Sequence, residues 1–431
     1  MSCGQKHGEG HLGILVGGGP APGLNGVISA VTIEARNHNL KVLGILDGYK
    51  WLVKGDYAAL MENVRELNIH DVSRIHFDGG SILRTSRTNP AERPNGVANA
   101  VRMLRELGIS YMVTTGGDDT AYGASEIAKA AGGEIKFAHV PKTIDNDLPL
   151  PNNLPTFGYQ TARDLGAVLV KNLMEESRTT NRWYIVVVMG RNAGHLALGV
   201  AKSAGATIAI IPEEFGETET VSIDHFSDIF QTAIYKRRAL GRNYGVLVVA
   251  EGVAEKLNRD ELKQAMGDNV EIDEFGNIQH ADVELGKLLK NVTEKRFEER
   301  GEKIRFVEIN IGYVLRCADP IPYDQEYTRD LGYNAVRYLL SQDPAHRGNA
   351  MIAVDNGRLI PLRFEDMIHP KTKKTAVRLV DIKSDSYKVA RNYMVRLEKE
   401  DLANPQLLAG MAKAANMSKE EFMKKWGYLV Q

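Results

Sequence analysis

The sequence has little of several features that mark whole classes of protein. It contains only two cysteines, Cys3 and Cys317, which lie far apart and show no metal-ligand spacing or disulfide framework. Its formal net charge of −1 argues against a nucleic-acid-binding protein, because such proteins usually carry a basic excess. No apolar run approaches the roughly 20 residues that span a bilayer, and the N-terminal residues do not resemble a signal peptide. We therefore expect a cytoplasmic protein.

Short apolar segments alternate with helical patterns over most of the 431 residues. Strands that alternate with helices predict a doubly wound α/β fold with mostly parallel sheets. In such sheets ligands bind at the carboxyl ends of the strands, so the loops that follow the strands are the candidate sites. The predicted strands are 12–16, 41–46, 109–115, 135–140, 183–189, 206–211, 245–252 and 304–316, with a β-hairpin whose Asn-Gly turn is at 356–357.

Two charged segments follow predicted strands and indicate the chemistry. The segment TTGGDDTA carries Asp118 and Asp119, and HVPKTIDNDLPLP carries Lys142, Asp145 and Asp147. Phosphoryl transfer from a polyphosphate to an alcohol needs charge neutralisation, positioning and a base for the hydroxyl proton. Asp118 could bind Mg²⁺. Of Asp145 and Asp147, one could take the hydroxyl proton, and the other could help to hold the metal or fix the geometry of the site. The alternative is that these aspartates cap helices and turns.

Glycine-rich turns and arginines add candidate phosphate sites. GGGPAPGLNG at 17–26 follows the first strand, and GGSILRTSRTNP carries Arg84 and Arg87. Backbone N–H groups of a glycine turn and the fork of an arginine both bind phosphate, and the alternatives are a plain tight turn and solvated surface charges. The spacing matches neither the dinucleotide-binding G-x-G-x-x-G nor the P-loop, so it does not favour an oxidoreductase.

Charged residues near other predicted strand ends could bind a phosphorylated sugar. Arg87, Arg191 and Arg316 could clamp its phosphate, and Glu251 could accept hydrogen bonds from its hydroxyls. Each of them alone could equally form a surface ion pair of little energetic consequence. His195 is more typical of a structural residue beside such a site than of a catalytic base.

Taken in order, the motifs resemble those of the phosphofructokinases. GGGPAPGLN, GGSILRTSR, GGDDT, PKTIDND, MGR followed by AGHLAL, PEE, the strand end at Glu251 and YVLR…PIPYD occur in the order of that family, from about residue 12 to about 340. The resemblance implies a magnesium-dependent kinase of glycolysis that phosphorylates fructose 6-phosphate at its 1-hydroxyl. The expected domains are a donor and Mg²⁺ domain at 1–155 plus about 316–363, a sugar-phosphate domain at 156–315 with an insertion at about 254–281, and a helix-rich C-terminal extension at 364–431.

The resemblance also implies residue roles. Asp145 would be the base that deprotonates the 1-hydroxyl, Thr143 would line the transferring phosphoryl group, and Asp118 with Asp147 would bind Mg²⁺. Lys142 and Asp119 also belong to the implied catalytic set. The implied donor site consists of Gly19, Arg87, Asp119 and Lys142. The implied sugar-phosphate site consists of Thr143, Ile144, Asp145, Arg182, Met189, Gly190, Arg191, Glu251, Tyr313 and Arg316.

Some positions of this site concern a second subunit or depart from the family pattern. In phosphofructokinases, arginines of a neighbouring subunit complete the sugar-phosphate site, and Arg182 matches one of them, so the resemblance implies a homodimer or homotetramer. The position of the second falls near Val307, and the nearby Arg305 is the candidate replacement. Tyr313 stands where ATP-using members commonly have histidine.

Two positions indicate the phosphoryl donor. ATP-using members resemble GGDGS and GTIDND, whereas this chain reads GGDDT and KTIDND. The carboxylate of Asp119 would lie where the α-phosphate of a nucleotide must bind. Two unit charges about 4 Å apart repel by about 4 kcal/mol at an effective dielectric of about 20, a discrimination of about a thousandfold. Lys142 could hold pyrophosphate, and both changes resemble the pyrophosphate-dependent branch, which works reversibly.

The sequence leaves other functions possible. The chain could be an ATP-dependent phosphofructokinase, a pyrophosphate-dependent kinase of another sugar phosphate such as sedoheptulose 7-phosphate, or a non-catalytic sugar-phosphate sensor. A sensor is disfavoured because Asp118 and Asp145 are both present. Bacterial ATP-dependent enzymes carry effector-binding arginines in the first helix, and the matching positions here are Ser29 and Ile33, so we expect a non-allosteric enzyme.

Overall fold

The computed structural model describes residues 10–216, 220–266, 284–367 and 376–430. Contacts divide the chain into two units, which we name the first unit (Met1–Ala162 with Tyr313–Arg378) and the second unit (Arg163–Gly312 with Leu379–Gln431). The domain bounds expected from the sequence, at residues 155, 315 and 363, stay a prediction beside this division.

The strands of the described residues are β1 (His11–Val16), β2 (Lys41–Ile45), β3 (Val64–Leu67), β4 (Ile109–Gly116), β5 (Lys136–Pro141), β6 (Trp183–Val188), β7 (Ile208–Ile210), β8 (Gly245–Ala250), β9 (Phe306–Ile311), β10 (Ala350–Asp355) and β11 (Arg358–Arg363). The helices are α1 (Leu24–Asn37), α2 (Lys50–Lys54), α3 (Tyr57–Met61), α4 (Ile69–Val72), α5 (Gly96–Glu106), α6 (Asp118–Ala130), α7 (Tyr159–Thr180), α8 (His195–Ala204), α9 (Ile223–Ala239), α10 (Arg259–Met266), α11 (Leu285–Glu298), α12 (Tyr313–Arg316), α13 (Pro322–Leu340), α14 (Asp385–Tyr393), α15 (Lys399–Ala403), α16 (Pro405–Ala414) and α17 (Lys419–Trp426).

The sheet of the first unit has the strand order β11-β10-β5-β4-β1-β2-β3. Its central pairs are parallel, and the two edge strands are antiparallel to their neighbours. Ile14 and Val113 belong to a core that includes residues of α1 and α13, while Leu15 and Met112 belong to a second core that includes residues of α5 and α6. Because adjacent residues of one strand serve different cores, these strands are continuous apolar runs in the sequence.

The sheet of the second unit has the strand order β7-β8-β6-β9, and all of its pairs are parallel. Every residue of β6 and β8 is buried. The last residues of three strands, Val188, Ala250 and Ile311, are paired in register, so the loops that follow them begin at one edge. The predicted α/β fold with mostly parallel sheets is confirmed.

Two segments differ from their predicted structure. The predicted strand 304–316 ends at Ile311, and Tyr313–Arg316 forms the short helix α12, whose first two residues are exposed. The apolar pattern of the sequence therefore continues beyond the end of strand β9. The predicted loop with Asp118 and Asp119 is the first turn of α6, where the partial positive charge of a helix N-terminus favours acidic side chains.

The C-terminal residues from Leu379 belong to the second unit and are largely helical. Helix α16 packs against α9, and the side chains of Trp426 and Tyr428 donate to Asp228 in α9 at 2.9 and 2.8 Å. These bonds fix the end of the chain to that helix. Residues 267–281 of the expected insertion lie outside the described residues. In the described ranges, no helix is long and apolar enough to cross a membrane.

Candidate active site

Three neighbouring strands of the first unit end at the same edge of its sheet. The strands β1, β4 and β5 are parallel, and backbone hydrogen bonds join the turns that follow them. The amide of Gly17 donates to the carbonyl of Thr115 at 2.8 Å, and the amide of Lys142 donates to the carbonyl of Gly116 at 2.8 Å. The glycine turn and the two charged segments are therefore brought together, as expected for strand ends of a parallel sheet.

Lys142 lies at the centre of this arrangement. It is only 5% exposed, and its ammonium group donates to the carbonyl of Gly19. Gly18 has a φ of 77°, in the region that favours glycine, and a Cβ there would lie 3.3 Å from the Lys142 nitrogen. The turn has room for the lysine because Gly18 and Gly19 carry no side chains.

Burial and charged neighbours together set the charge of Lys142. Burial lowers its pKa to about 8, and the positive charges of Arg316 and Arg87 act in the same direction. The carboxylates of Asp145 and Asp118 oppose this shift of the pKa. At neutral pH the amine is mostly protonated, so it remains a cation beside the glycine turn.

Arg316 lies against the same glycine turn. A Cβ on Gly19 would be 3.2 Å from the Cζ of Arg316, whose guanidinium carbon lies 4.9 Å from the ring centroid of Tyr313. Tyr313 itself is 74% exposed. The turn thus has two cations beside it, Lys142 and Arg316, which is an arrangement suited to a phosphate group.

Asp118 and Asp119 follow β4 in the first turn of α6. The carboxylate of Asp118 accepts a hydrogen bond from the amide of Asp119 at 2.9 Å, and both side chains are exposed. Mg²⁺ is typically held by one or two carboxylates together with substrate phosphates, so an accessible Asp118 beside a phosphate site fits that ion. Among the described residues, no group of three or more His, Cys, Asp or Glu could hold a metal without such help.

Internal hydrogen bonds fix the segment from Thr143 to Thr156. The Thr143 hydroxyl accepts from the Asp145 amide at 3.0 Å, and the Thr156 hydroxyl donates to the Thr143 carbonyl at 2.7 Å. The side-chain oxygen of Asn146 accepts from the Thr156 amide at 3.1 Å, and Ile144 is buried. The predicted base, Asp145, therefore sits in a loop with a defined backbone.

Two residues that the sequence did not indicate support these strand ends. His139 is buried in β5 and hydrogen-bonds with the Thr114 hydroxyl at 2.8 Å and the Gly116 carbonyl at 3.1 Å. Burial lowers the pKa of His139 to about 3, so its imidazole is neutral. Arg378 donates to the carbonyl of Asn146 at 3.0 Å across 232 positions of sequence. For His139, the only signal in the sequence is its position within a charged motif. For Arg378 there is no local signal, because its partner is far away in the sequence.

The strand ends of the second unit carry several predicted sugar-phosphate residues. The Gly190 amide donates to the Glu251 carboxylate at 3.3 Å, and the Gly252 amide donates to the Gly190 carbonyl at 3.0 Å. Gly190 has a φ of 145°, which other residues rarely adopt. The Met189 amide donates to the carbonyl of Ile311 at 2.9 Å. Met189, Gly190 and Glu251 are thus brought together.

The arginines predicted for the sugar phosphate have different surroundings. Arg87, Arg182 and Arg191 are exposed. The guanidinium of Arg305 lies 2.9 Å from the carboxylate of Glu294, in an ion pair within the second unit. The assignment of Arg182 or Arg305 to the site of a neighbouring subunit stays a prediction.

The family to which these motifs point is found by comparison with known proteins. The phosphofructokinase family model matches residues 11–339, which is most of the chain. The chain therefore belongs to the phosphofructokinase family. The resemblance predicted from the ordered motifs is confirmed.

Relatives of similar length carry a more specific name. The pyrophosphate–fructose 6-phosphate 1-phosphotransferase of Thermotoga maritima is 54% identical over 420 residues, which cover 97% of this chain and 99% of that protein. The protein of the same name from Naegleria fowleri is 48% identical over 427 residues, covering 97% of this chain and 96% of that protein. The pyrophosphate-dependent phosphofructokinase structure from Marinobacter aquaeolei shares the fold, with a TM-score of 0.64 at 17% identity over 89% of this chain and 91% of that chain.

Proposed function

We propose that this chain transfers a phosphoryl group reversibly between inorganic pyrophosphate and the 1-hydroxyl of fructose 6-phosphate. The observation that carries the proposal is Lys142, a buried cation whose ammonium group lies on the glycine turn at Gly19. The relatives from Thermotoga maritima and Naegleria fowleri bear the name of this activity. The products are fructose 1,6-bisphosphate and phosphate.

The charged side chains beside the glycine turn select the phosphoryl donor. Pyrophosphate is small and highly charged, so it gains from the adjacent cations Lys142 and Arg316. Asp119 is exposed, so water and salt screen its repulsion of a nucleotide phosphate to less than about 4 kcal/mol. We therefore attribute a larger share of donor selection to the buried Lys142 than to Asp119.

The reaction needs a base and a neutralised donor. Asp145 takes the proton of the 1-hydroxyl while the hydroxyl oxygen bonds to one phosphorus of pyrophosphate, and the bridging P–O bond breaks to release phosphate. Thr143 lines the transferring group and accepts from the Asp145 amide at 3.0 Å. Mg²⁺, held by Asp118 with Asp147, would supply charge neutralisation at the phosphate oxygens. Lys142 holds the phosphate that leaves.

Sugar binding is assigned to the residues that the family motifs imply. These are Met189, Gly190, Arg191, Glu251, Ile144, Tyr313 and Arg316, and Arg182 is supplied by a second copy of the chain. The enzyme is accordingly a homodimer or homotetramer. We assign it to glycolysis in the cytoplasm, and to both directions because pyrophosphate and the sugar bisphosphate are similar in energy. Ser29 and Ile33 in α1 offer no effector-binding arginine, so ADP and phosphoenolpyruvate should leave its rate unchanged.

A donor comparison tests the proposal. The purified enzyme is assayed at fixed fructose 6-phosphate and Mg²⁺ with either pyrophosphate or ATP, and sedoheptulose 7-phosphate replaces the sugar in a parallel series. We expect turnover with pyrophosphate and fructose 6-phosphate at the highest kcat/KM. A higher kcat/KM with ATP would contradict the proposed donor, and a higher kcat/KM with sedoheptulose 7-phosphate would contradict the proposed sugar.

A further inference from the structure

One arginine from the end of the first unit enters the loop that carries the predicted base. The side chain of Arg378 donates from Nε to the carbonyl of Asn146 at 3.0 Å and from Nη1 to the carbonyl of Leu154 at 2.7 Å. Its Nη2 donates to the same Asn146 carbonyl at 2.9 Å and to the Asn146 side-chain oxygen. Its own amide donates to the carbonyl of Asp147 at 2.7 Å. One residue thus binds the loop at several acceptors.

The residue that Arg378 holds most closely lies between the two functional aspartates. Asn146 has a φ of 58°, a left-handed conformation that asparagine adopts more readily than other non-glycine residues, and the bonds from Arg378 hold its carbonyl and side chain in that conformation. Because Asp145 and Asp147 flank Asn146, its backbone angles set the directions in which their side chains leave the chain. The Asn146 side chain is held a second time by the Thr156 amide at 3.1 Å.

In its own segment, Arg378 directs its side chain to the loop while its two neighbours are exposed. Val377 and Leu379, on either side of Arg378, are 42% and 43% exposed, so the neighbouring side chains point to solvent. Burial lowers the pKa of Arg378, and the negative charge of Asp147 opposes that shift. A planar guanidinium can reach carbonyls in several directions at once, whereas a lysine offers a single ammonium centre.

We propose that Arg378 is a positioning residue for phosphoryl transfer: it holds the Asn146 backbone so that Asp145 and Asp147 keep their catalytic directions. This inference rests on the proposed function of the same site. Arg378 acts through the loop and touches neither donor nor sugar. Its loss therefore lowers kcat more than it raises either KM, because misdirected catalytic groups affect the transition state more than substrate binding.

The test compares Arg378→Ala and Arg378→Lys with Arg36→Ala as the matched control. Arg36 also donates from Nε to a backbone carbonyl, that of Leu67 at 2.8 Å, but at the far end of α1 from the glycine turn. For each variant we measure Tm, kcat and both KM values with the donor that the wild type accepts. The measurements are repeated with added guanidinium chloride well below denaturing concentrations.

We expect kcat to fall at least about tenfold in both Arg378 variants, with each KM within about threefold of wild type. Guanidinium should restore part of kcat in Arg378→Ala and leave Arg36→Ala unchanged. If Arg378→Ala does not fold, Arg378→Lys tests the positioning role, because lysine keeps the positive charge but lacks the planar guanidinium. A wild-type kcat in Arg378→Lys, or equal changes in kcat and KM without rescue, would overturn the positioning role. An enzyme that rejects pyrophosphate would overturn only the proposed function.

Discussion

The strand ends of the first and second units differ in how their charged side chains are held. In the first unit Lys142 is buried against Gly19, and backbone hydrogen bonds join the turns around it. In the second unit the backbone at Gly190 is also held, but the side chain of Arg191, which follows β6, is exposed. An exposed arginine loses side-chain entropy when it orders around a ligand, whereas a buried cation is already in place.

This difference predicts different roles for the two units. A cation that is in place before binding favours ligands that match its position, so the first unit should determine the donor and the rate of transfer. Exposed arginines that adapt to a bound phosphate should contribute affinity for the sugar. Substitutions of Lys142 and of the residues that carry the transfer in the first unit should therefore change kcat and donor choice, and substitutions at the strand ends of the second unit should change the KM for the sugar.

The largest effect is expected from loss of the proposed base in the first unit. Asp145→Ser should lower kcat by about a thousandfold in both directions, because a general base contributes about a hundredfold to ten-thousandfold. Calorimetric titration should show that fructose 6-phosphate still binds. Asp343→Ser, which removes a carboxylate that caps a turn elsewhere in the first unit, should be fully active. A kcat within about tenfold of wild type in Asp145→Ser would remove that residue from the role of base.

A smaller effect is expected in the second unit. Glu251→Ala should raise the KM for fructose 6-phosphate by about tenfold to a hundredfold, since hydrogen bonds to charged groups contribute about 1.5–3 kcal/mol. The KM for pyrophosphate should stay within about twofold of wild type, and steady-state kinetics with each substrate varied will show this. Glu420→Ala, at an exposed position of α17, is the control. Equal changes in both KM values would contradict separate roles for the two units.

The smallest effect is expected from pH. Lys142 is charged below its pKa of about 8 and loses its proton as the pH rises through that value. The kcat/KM for pyrophosphate should therefore fall above pH 8, by up to about tenfold for each further pH unit. The pH profile of kcat/KM should be recorded with Tm at each pH, to show that the protein stays folded. A flat profile between about pH 7 and 9.5 would show that the charge of Lys142 does not contribute.

The sequence predicts those parts of the fold that have a local apolar pattern, and it does not predict elements that lack one. The strands β1, β4, β5, β6 and β8 were predicted because buried parallel strands are continuous apolar runs. Strand β3 (Val64–Leu67) was missed because its two central residues are exposed, and an edge strand needs little apolar surface. The sequence predicts a strand at the short helix α12 because the apolar residues of that helix extend the run of β9.

The same distinction applies to the site. The motif identifies Lys142 as a candidate residue. Its buried position beside the carbonyl of Gly19 involves residues 123 positions apart, so the sequence does not predict the lowered pKa of Lys142. The sequence predicts a loop at the first turn of α6 because aspartates such as Asp118 and Asp119 are also common in turns. Arg378 was missed altogether, since it lies 232 positions from Asn146 in a segment without regular secondary structure.

Donor choice in the wild type and in a Lys142→Gly, Asp119→Gly double variant tests the central claim most directly. The ratio of kcat/KM for pyrophosphate to kcat/KM for ATP is measured at fixed fructose 6-phosphate and Mg²⁺. We predict a wild-type ratio of at least about a thousand, and a shift toward ATP of at least about a hundredfold in the double variant. A double variant that loses activity with both donors while its ratio stays unchanged would contradict the claim that Lys142 and Asp119 select pyrophosphate.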